Sequence, residues 1–384
     1  MRSPFTLAWS QLARDRVRFA VAIAGVAFAV ILMLVQLGFR NALFRSSVRI
    51  HERLDGDVVL ISPQSSYIVQ MRSFPRRRVD QALGAPGVAS VSALYMTLTF
   101  WENPDTGSPR HIFILGVDPD AGVLAMPDLQ AQAERLRTPD VALFDSASRP
   151  EYGPVAEKLA RGERVEVEVN DRRIDVRGTF RMGTSFGIDG TVVVSDLTFQ
   201  RVFPSRPRGV AEIGLVKLLP GASPAAVRDA IRARVPDDVL VLTKDEYLTR
   251  EKDYWAKVTP IGFIFSFGTL IGFGVGAIVV SQILFADVSD HLPEYATLKA
   301  IGYRDRFLYG VVFAQAVVLA GLGFVPGVAA AAALFRVTAE TTLLPMELPP
   351  SLGLLVLGLT VAMCAGAGFL ALRKLQRADP AEIF

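Results

Sequence analysis

The sequence holds one pattern that could support nucleophilic catalysis. Gly183-Thr-Ser-Phe-Gly187 matches G-x-S-x-G, in which a serine sits on a sharp turn between a strand and a helix. Here a strand pattern at residues 191–194 follows the motif, so the residues favour a loop between two strands. A membrane-anchored esterase using Ser185 stays an alternative hypothesis.

Metal and nucleotide chemistry have no motif in this sequence. The single cysteine, Cys364, excludes an internal disulfide and a cysteine-based zinc site. The histidines at positions 51, 111 and 291 are too scattered for a spaced ligand motif, and no lysine follows a glycine as a P-loop requires. The sequence therefore predicts no catalytic residue, no metal and no cofactor.

Apolar stretches dominate the organisation of the chain. Of its 384 residues 51% are hydrophobic, and the formal charge is only +3, which gives no reason to expect a nucleic-acid partner. A helix needs about 20 apolar residues to cross a bilayer. Four stretches meet that length and predict transmembrane helices, at residues 19–39, 261–285, 307–335 and 352–372.

The distribution of Lys and Arg in the short flanks predicts the orientation, because cytoplasmic flanks are enriched in these residues. Segments 1–18 (amphipathic), 286–306 and 373–384 are basic and are expected in the cytoplasm, and 336–351 is a short outside loop. Residues 40–257 are then outside the cytoplasm. None of the four stretches contains a charged side chain or histidine, which argues against an ion-driven carrier.

The long segment between the first two predicted helices reads as an α+β domain. Strand patterns occur at residues 57–61, 165–169, 174–176, 191–194 and 239–242, and Ser223-Pro224 opens a helix that runs to about Arg234. The predicted fold class is a membrane protein with four transmembrane α-helices and a large α+β periplasmic domain between helices 1 and 2.

Both ends of this domain resemble helices that continue the spans. Residues 40–54 and 243–257 each place apolar side chains on one helical stripe, and Thr243 and Glu246 form a T-x-x-E capping box at the start of the second helix. We expect the two helices to pack as a stalk through Leu43, Ile50, Leu54, Tyr247, Tyr254 and Trp255. The alternative is two separate helices near the membrane.

Glycines recur every four residues in the second span, at Gly268, Gly272 and Gly276. This G-x-x-x-G spacing lets another helix approach closely. The approaching helix could belong to a second subunit or to this chain, and the spacing alone favours neither.

The loop between the second and third spans predicts a short helix. Pro293 suits a first turn with Glu294 beside it, Lys299 falls in the last turn, and Gly302 suits the residue after the end. Tyr295, Leu298 and Ile301 lie on or near one face. Because so short a helix is marginal in water, we expect a cytoplasmic protein to dock on it. The alternative is a linker lying on lipid.

Glu294-Tyr-Ala-Thr-Leu-Lys-Ala-Ile-Gly302 resembles the E-x-a-x-L-(K/R)-A-x-G segment of ABC permeases of the MacB/FtsX superfamily, and the ending Ala378-Asp-Pro-Ala-Glu-Ile-Phe384 is similar to the D-P-A-E ending of that superfamily. Further motifs resemble the DevC-type permeases: Leu60-Ile-Ser-Pro-Gln64, Ser73-Phe-Pro-Arg-Arg-Arg78, the stretch 140–154 and Asp287-Val-Ser-Asp-His291.

The resemblance implies a non-catalytic, mechanotransmitting subunit of a tripartite exporter of a lipid-like or hydrophobic substrate. It also implies a bacterial inner-membrane protein with residues 40–257 in the periplasm. The implied partners are a separate ABC ATPase (DevA-like), a periplasmic membrane-fusion adaptor (DevB-like), a TolC-like outer-membrane channel, a second permease copy and membrane lipids. The implied ATPase-coupling residues are Pro293, Glu294, Tyr295, Thr297, Leu298, Lys299, Ile301 and Gly302. The alternative is an FtsX-like signalling or scaffold protein that regulates a periplasmic hydrolase without transport.

Overall fold

The computed structural model describes residues 4–12, 14–291, 293, 294, 297, 301 and 305–376. The chain divides into two compact units. One comprises Met1–Ala42 with Pro260–Phe384, and the other is the inserted domain, Leu43–Thr259.

The first unit is helical in its described part. Four helices are long and apolar enough to cross a membrane, which confirms the four predicted spans. They pack around a core of small and branched apolar side chains. Two helices approach closely where one of them has a glycine: a Cβ at Gly323 would lie 2.5 Å from the side chain of Val26. The helices are α1 (Pro4–Leu12), α2 (Arg16–Ser47), α10 (Pro260–Asp290), α11 (Asp305–Thr342) and α12 (Pro350–Gln376).

The helix ends differ from the predicted span ends. Helix α10 runs five residues past position 285, so Asp287 and Asp290 lie in its last two turns. Helix α11 continues through Arg336 and Glu340 to Thr342, so the first half of the predicted loop 336–351 is helical. Hydropathy marks the apolar part of a helix and carries no information on how far its hydrogen bonding extends beyond it.

The inserted domain is built on one nine-stranded sheet in the order β11-β1-β10-β3-β4-β8-β5-β7-β6, with β2 and β9 forming a separate pair. The strands are β1 (Val58–Ile61), β2 (Phe74–Pro75), β3 (Val88–Glu102), β4 (Pro109–Val117), β5 (Val141–Asp145), β6 (Val165–Val169), β7 (Arg172–Phe180), β8 (Thr191–Ser195), β9 (Val210–Ala211), β10 (Ile213–Leu218) and β11 (Leu240–Thr243). Its α-helices are α3 (Arg49–Arg53), α4 (Arg77–Ala82), α5 (Pro127–Gln130), α6 (Val155–Ala160), α7 (Asp196–Val202), α8 (Pro224–Arg232) and α9 (Lys244–Asp253).

The sheet curls until β6 meets β3, because Trp101 pairs with Val169. The strands β3, β4, β8, β5, β7 and β6 thus close into a ring, here called the barrel. Its interior is a core that includes Trp101, Tyr152 and Phe199. Strands β11, β1 and β10 extend from β3 on its other side and carry α8 on a smaller core.

Local sequence patterns predicted five of the eleven strands (β1, β6, β7, β8 and β11) and helix α8, and missed the strands β3 and β4 at the middle of the sheet. The strands at 57–61, 165–169, 174–176, 191–194 and 239–242 and the helix opened by Ser223-Pro224 are all present. The turn between β6 and β7 is tighter than predicted: Asn170 and Asp171 alone form it, with φ of 51° and 58°. Positive φ at both positions is typical of the type I′ turn, whose twist matches that of the flanking strands.

Candidate transmission site at the stalk and the coupling segment

The first arm of the stalk is residues 43–54. Helix α2 is unbroken from Arg16 to Ser47, and α3 follows it after the single residue Val48. The predicted stripe is buried, since Leu43, Ile50 and Leu54 are each less than 5% exposed. Ile50 and Leu54 belong to the main core of the inserted domain. This arm is therefore packed along its length and is not a loose linker.

The second arm is residues 243–258. The predicted capping box is confirmed: Thr243 accepts from the Glu246 N–H, and the Glu246 carboxylate accepts from the Thr243 N–H at 2.8 Å. Helix α9 then passes into a π-helical turn, Tyr254–Val258, and the next residue, Thr259, is extended. Single π-turns inside helices frequently mark functional sites.

The two arms meet at a buried polar contact. His51 of the first arm and Glu251 of the second are 0% and 2% exposed, and His51 Nε2 lies 3.3 Å from Glu251 Oε2. Glu251 also accepts from the Ile68 N–H at 3.1 Å and from Trp255 Nε1–H at 3.0 Å. The donors from Ile68 and Trp255 both lie outside the first arm, so the arms meet through the approach of His51 to Glu251. Neither ring nitrogen of His51 has a hydrogen-bond partner among the described residues.

Aromatic rings surround that contact. Tyr247 lies 4.5 Å from the His51 ring, and burial raises the pKa of its phenol well above the ordinary value. Tyr67 stacks on Tyr254 at 4.7 Å and meets Trp255 edge-on at 5.2 Å. The predicted stalk residues Tyr247, Tyr254 and Trp255 thus form one cluster on the second arm.

The G-x-S-x-G motif forms part of the loop between β7 and β8. Ser185 is 7% exposed, and a bridge between Ser185 and Ile188 closes a small turn there. A nucleophile elbow needs a strand, a turn and a helix. Two strands flank this loop, so the geometry supports the predicted loop and gives no support to an esterase using Ser185.

The coupling segment is residues 293–302, between α10 and α11. Pro293, Glu294 and Thr297 are helical, Thr297 Oγ1–H donates to the Pro293 carbonyl at 2.8 Å, and the Ile301 N–H donates to the Thr297 carbonyl at 3.1 Å. Ile301 is 71% exposed. Four further predicted coupling residues lie outside the described residues: Tyr295, Leu298, Lys299 and Gly302.

A chain of side-chain amides leads from the coupling segment into the helical unit. Gln11 of α1 donates to Glu294 at 3.3 Å. Gln315 of α11, which is 0% exposed, donates to the side-chain oxygen Oε1 of Gln11 at 3.2 Å and to Asp287 of α10 at 2.7 Å. Arg18 of α2 pairs with Asp290. Helix α1 therefore connects the coupling segment to α11 through Gln11.

The three glycines of the second span pack against helices of their own chain. A Cβ at Gly268 would lie 2.5 Å from Gln36, one at Gly272 would lie 3.1 Å from Leu32, and one at Gly276 would lie 2.4 Å from Met363. This is the intrachain alternative that the spacing had left open. Several large side chains on α10 are exposed instead, among them Phe263, Phe267 and Ile271.

Sequence reasoning missed the buried polar residues of both regions. Gln315 had a usable signal, because it is the one strongly polar residue in its predicted span and such residues often bind a neighbouring helix. No sequence signal connects His51 with Glu251, since they are 200 positions apart in sequence. Asp145 and Arg49, which hold the motif loop, had none either.

Two family models match this chain. The MacB-like periplasmic core domain matches residues 19–234, and the FtsX-like permease C-terminal model matches residues 259–380. The first match covers the first span and most of the inserted domain, and the second covers the remaining three spans and the coupling segment.

Solved structures give weaker likenesses. The extracellular domain of the noncanonic ABC-type transporter YknZ from Gram-positive bacteria is 10% identical with a TM-score of 0.34, covering 49% of this chain and 99% of that one. The periplasmic region of MacB from Actinobacillus actinomycetemcomitans is also 10% identical with a TM-score of 0.33, covering 51% and 92%.

Proposed function

This chain belongs to the MacB/FtsX superfamily of ABC-type permeases, and from that membership we propose that it is the membrane subunit of a tripartite exporter. A separate ATPase acts on the coupling segment, and the stalk passes the resulting movement to the inserted domain. The observation that carries the proposal is the stalk itself: two arms joined by a buried carboxylate with three polar neighbours.

The finer assignments rest on the DevC-type motifs. They support a DevA-like ATPase pair, a DevB-like periplasmic adaptor, a TolC-like channel and a lipid-like or hydrophobic substrate. We place the termini and the coupling segment in the cytoplasm and the inserted domain in the periplasm, because the Lys and Arg residues cluster in the short flanks. Copurification from native membranes with mass spectrometry of bound proteins and lipids tests the partners and the substrate class.

The coupling assignment is tested by reversing a charge. Glu294 is 46% exposed on its side chain and lies 3.6 Å from Arg14, so Glu294→Arg replaces an ion pair by a repulsion at the proposed docking helix. We expect this variant to lose stimulation of the copurified ATPase in nanodiscs while the complex still assembles. Glu340→Arg, at an exposed glutamate on the other end of α11, is the matched control.

The stalk assignment is tested by changing stiffness alone. Ser46 and Glu251 make buried hydrogen bonds, so glycine at those positions would remove contacts as well as rigidity. Arg45 and Lys252 are exposed on the two arms, so they are the positions chosen for the glycine substitutions. Glycine costs about 1 kcal/mol of helix stability relative to alanine, so Arg45→Gly with Lys252→Gly is compared with the same pair of alanines.

We expect the glycine pair to stop export and the alanine pair to sustain it, with the copurified ATPase bound in both. Export by the glycine pair at the alanine level would contradict a mechanical role for the arms. If the glycine pair lost a periplasmic hydrolase activity, and no transported molecule were found, the result would instead support the FtsX-like alternative.

A further inference from the structure

The loop between β7 and β8 touches both arms of the stalk. Arg49 on the first arm donates from Nη1 to the Thr184 carbonyl at 2.6 Å. The Phe186 N–H donates to Ser46 Oγ on the same arm at 3.3 Å, and the Phe186 ring meets Trp255 of the second arm edge-on at 4.9 Å. Residues 182–188 are here called the junction loop.

The base of the junction loop is fixed to the barrel. Asp145, the last residue of β5, is 0% exposed and accepts from the N–H groups of Met182 and Gly183 at 2.9 and 2.8 Å, and from the Ala147 N–H. Burial raises the pKa of Asp145, and the three backbone donors and the charge of Arg49 act against that rise. Arg49 and Asp145 therefore both hold the loop at its start, residues 182–184.

The backbone of the loop leaves no room for a side chain at its tightest point. Gly183 has φ of +88°, and a Cβ there would lie 2.5 Å from Arg49 Nη1. Gly187 at the other end has φ of +89°. Glycine adopts such angles without strain, and here it also lets the guanidinium reach the backbone.

The arms have a second, covalent route into the same sheet. The first arm leads into β1 and the second follows β11, and these two strands pair with each other at one end of the sheet. In strand order, β8, β5 and β7 of the barrel lie beyond β10, β3 and β4. A displacement of the arms reaches these barrel strands through three intervening strands or directly through the junction loop.

We propose that the junction loop transmits movement of the stalk arms to the barrel, with Arg49 and Phe186 as its positioning residues. The inference rests on the proposed function, because it assumes that the arms move when ATP is used. It assigns a mechanical role to a motif that has the pattern of an esterase. Without the loop, the arms reach the barrel through β1 and β10 and through the core that Ile50 and Leu54 share with barrel strands, and the direct contact to residues between β7 and β8 is lost.

The test measures movement and not transport. Spin labels are placed on exposed sites after Cys364→Ala: Arg45 and Lys252 report on the arms, and Arg45 with Glu168 of β6 reports on arm and barrel. Pulsed electron paramagnetic resonance then gives both distances with and without a non-hydrolysable ATP analogue, in the complete complex with its copurified ATPase in nanodiscs.

The variants separate a positioning role from a folding role. Arg49→Ala removes the bond to Thr184, and Arg49→Lys keeps a cationic donor there. Arg53→Ala, at an exposed arginine on the same short helix, is the matched control. Phe186→Ala removes the ring from Trp255 and leaves Arg49 in place, so it decides the question alone if Arg49→Ala does not fold.

We expect Arg49→Ala and Phe186→Ala to keep the nucleotide-dependent change between the arms and to reduce the change between arm and barrel. Arg49→Lys should recover it, and Arg53→Ala should behave as the parent. An unchanged arm-to-barrel response in both loop variants overturns the inference and leaves the proposed function intact. Arms that do not respond to nucleotide in the parent overturn both.

Discussion

The carboxylate of Glu251 is predicted to hold the two stalk arms together, and Glu251→Ala removes it. Two buried donors then lose their acceptor, the Ile68 N–H and Trp255 Nε1–H. Each orphaned buried donor costs about 1–3 kcal/mol, so the local free energy of opening should fall by about 2–6 kcal/mol. The contact with His51 is lost as well.

Native-state hydrogen exchange on the full chain in detergent measures this effect where it arises. A loss of about 2 kcal/mol or more accelerates exchange at least about thirtyfold, because each 1.4 kcal/mol is a factor of ten. We expect that acceleration at the Ile68 amide and along α9, while β4 and β8 keep their protection. Lys252→Ala, at the exposed next residue of α9, is the control.

The reasoning would be refuted by equal exchange at Ile68 in the two variants, since Glu251 would then not be its acceptor. A uniform loss of protection in every strand would also contradict it. Such a result would show that the contact supports the whole inserted domain and not the junction between the arms.

Two further predictions concern packing and pH. Gly276→Ala should lower the thermal stability of the solubilised chain, because the added Cβ would lie 2.4 Å from Met363. Overpacking of this kind costs about 1–3 kcal/mol. Gly274→Ala is the control and should leave the stability unchanged, because the space around Gly274 is open. The Thr243 N–H and Arg228 hold the pKa of Glu246 below its ordinary 4.5, so the capping box stabilises α9 above pH 4.5 and weakens as pH falls through the lower folded value. Glu246→Gln should therefore flatten the acid limb of α9 unfolding seen by hydrogen exchange, and Asp245→Asn at the exposed neighbour should leave it unchanged.

Features set by neighbouring residues were predictable from the sequence. The four spans follow from runs of apolar residues, and the capping box follows from the spacing of Thr243 and Glu246. The strands β6 and β7 follow from alternation of apolar and polar side chains. Each of these signals lies within one segment, so one sequence is enough to detect it.

The polar contacts between segments were not predictable. Arg49 and Thr184 are 135 residues apart, and Asp145 and Gly183 are 38 apart, so no periodicity connects them. The glycines at 268, 272 and 276 show a related limit. Their spacing indicates that a helix approaches closely, but the identity of that helix depends on tertiary packing, which placed α2 and α12 there.

The two arms differ in a way that bears on where the stalk bends. Helix α2 carries the first arm as far as Ser47, and its hydrogen-bond ladder resists bending up to that residue; the short helix α3 continues the arm after Val48. The second arm loses that ladder at Thr259, an extended residue before Pro260, which cannot donate a backbone hydrogen bond. Under the proposed function, rotation of the second arm concentrates at Thr259. Trp255 lies in the π-turn just before that point and receives Phe186 of the junction loop, and Thr259 Oγ1–H donates to its carbonyl at 2.7 Å. The loop is therefore attached to the second arm within one turn of the residue at which that arm loses its hydrogen-bond ladder.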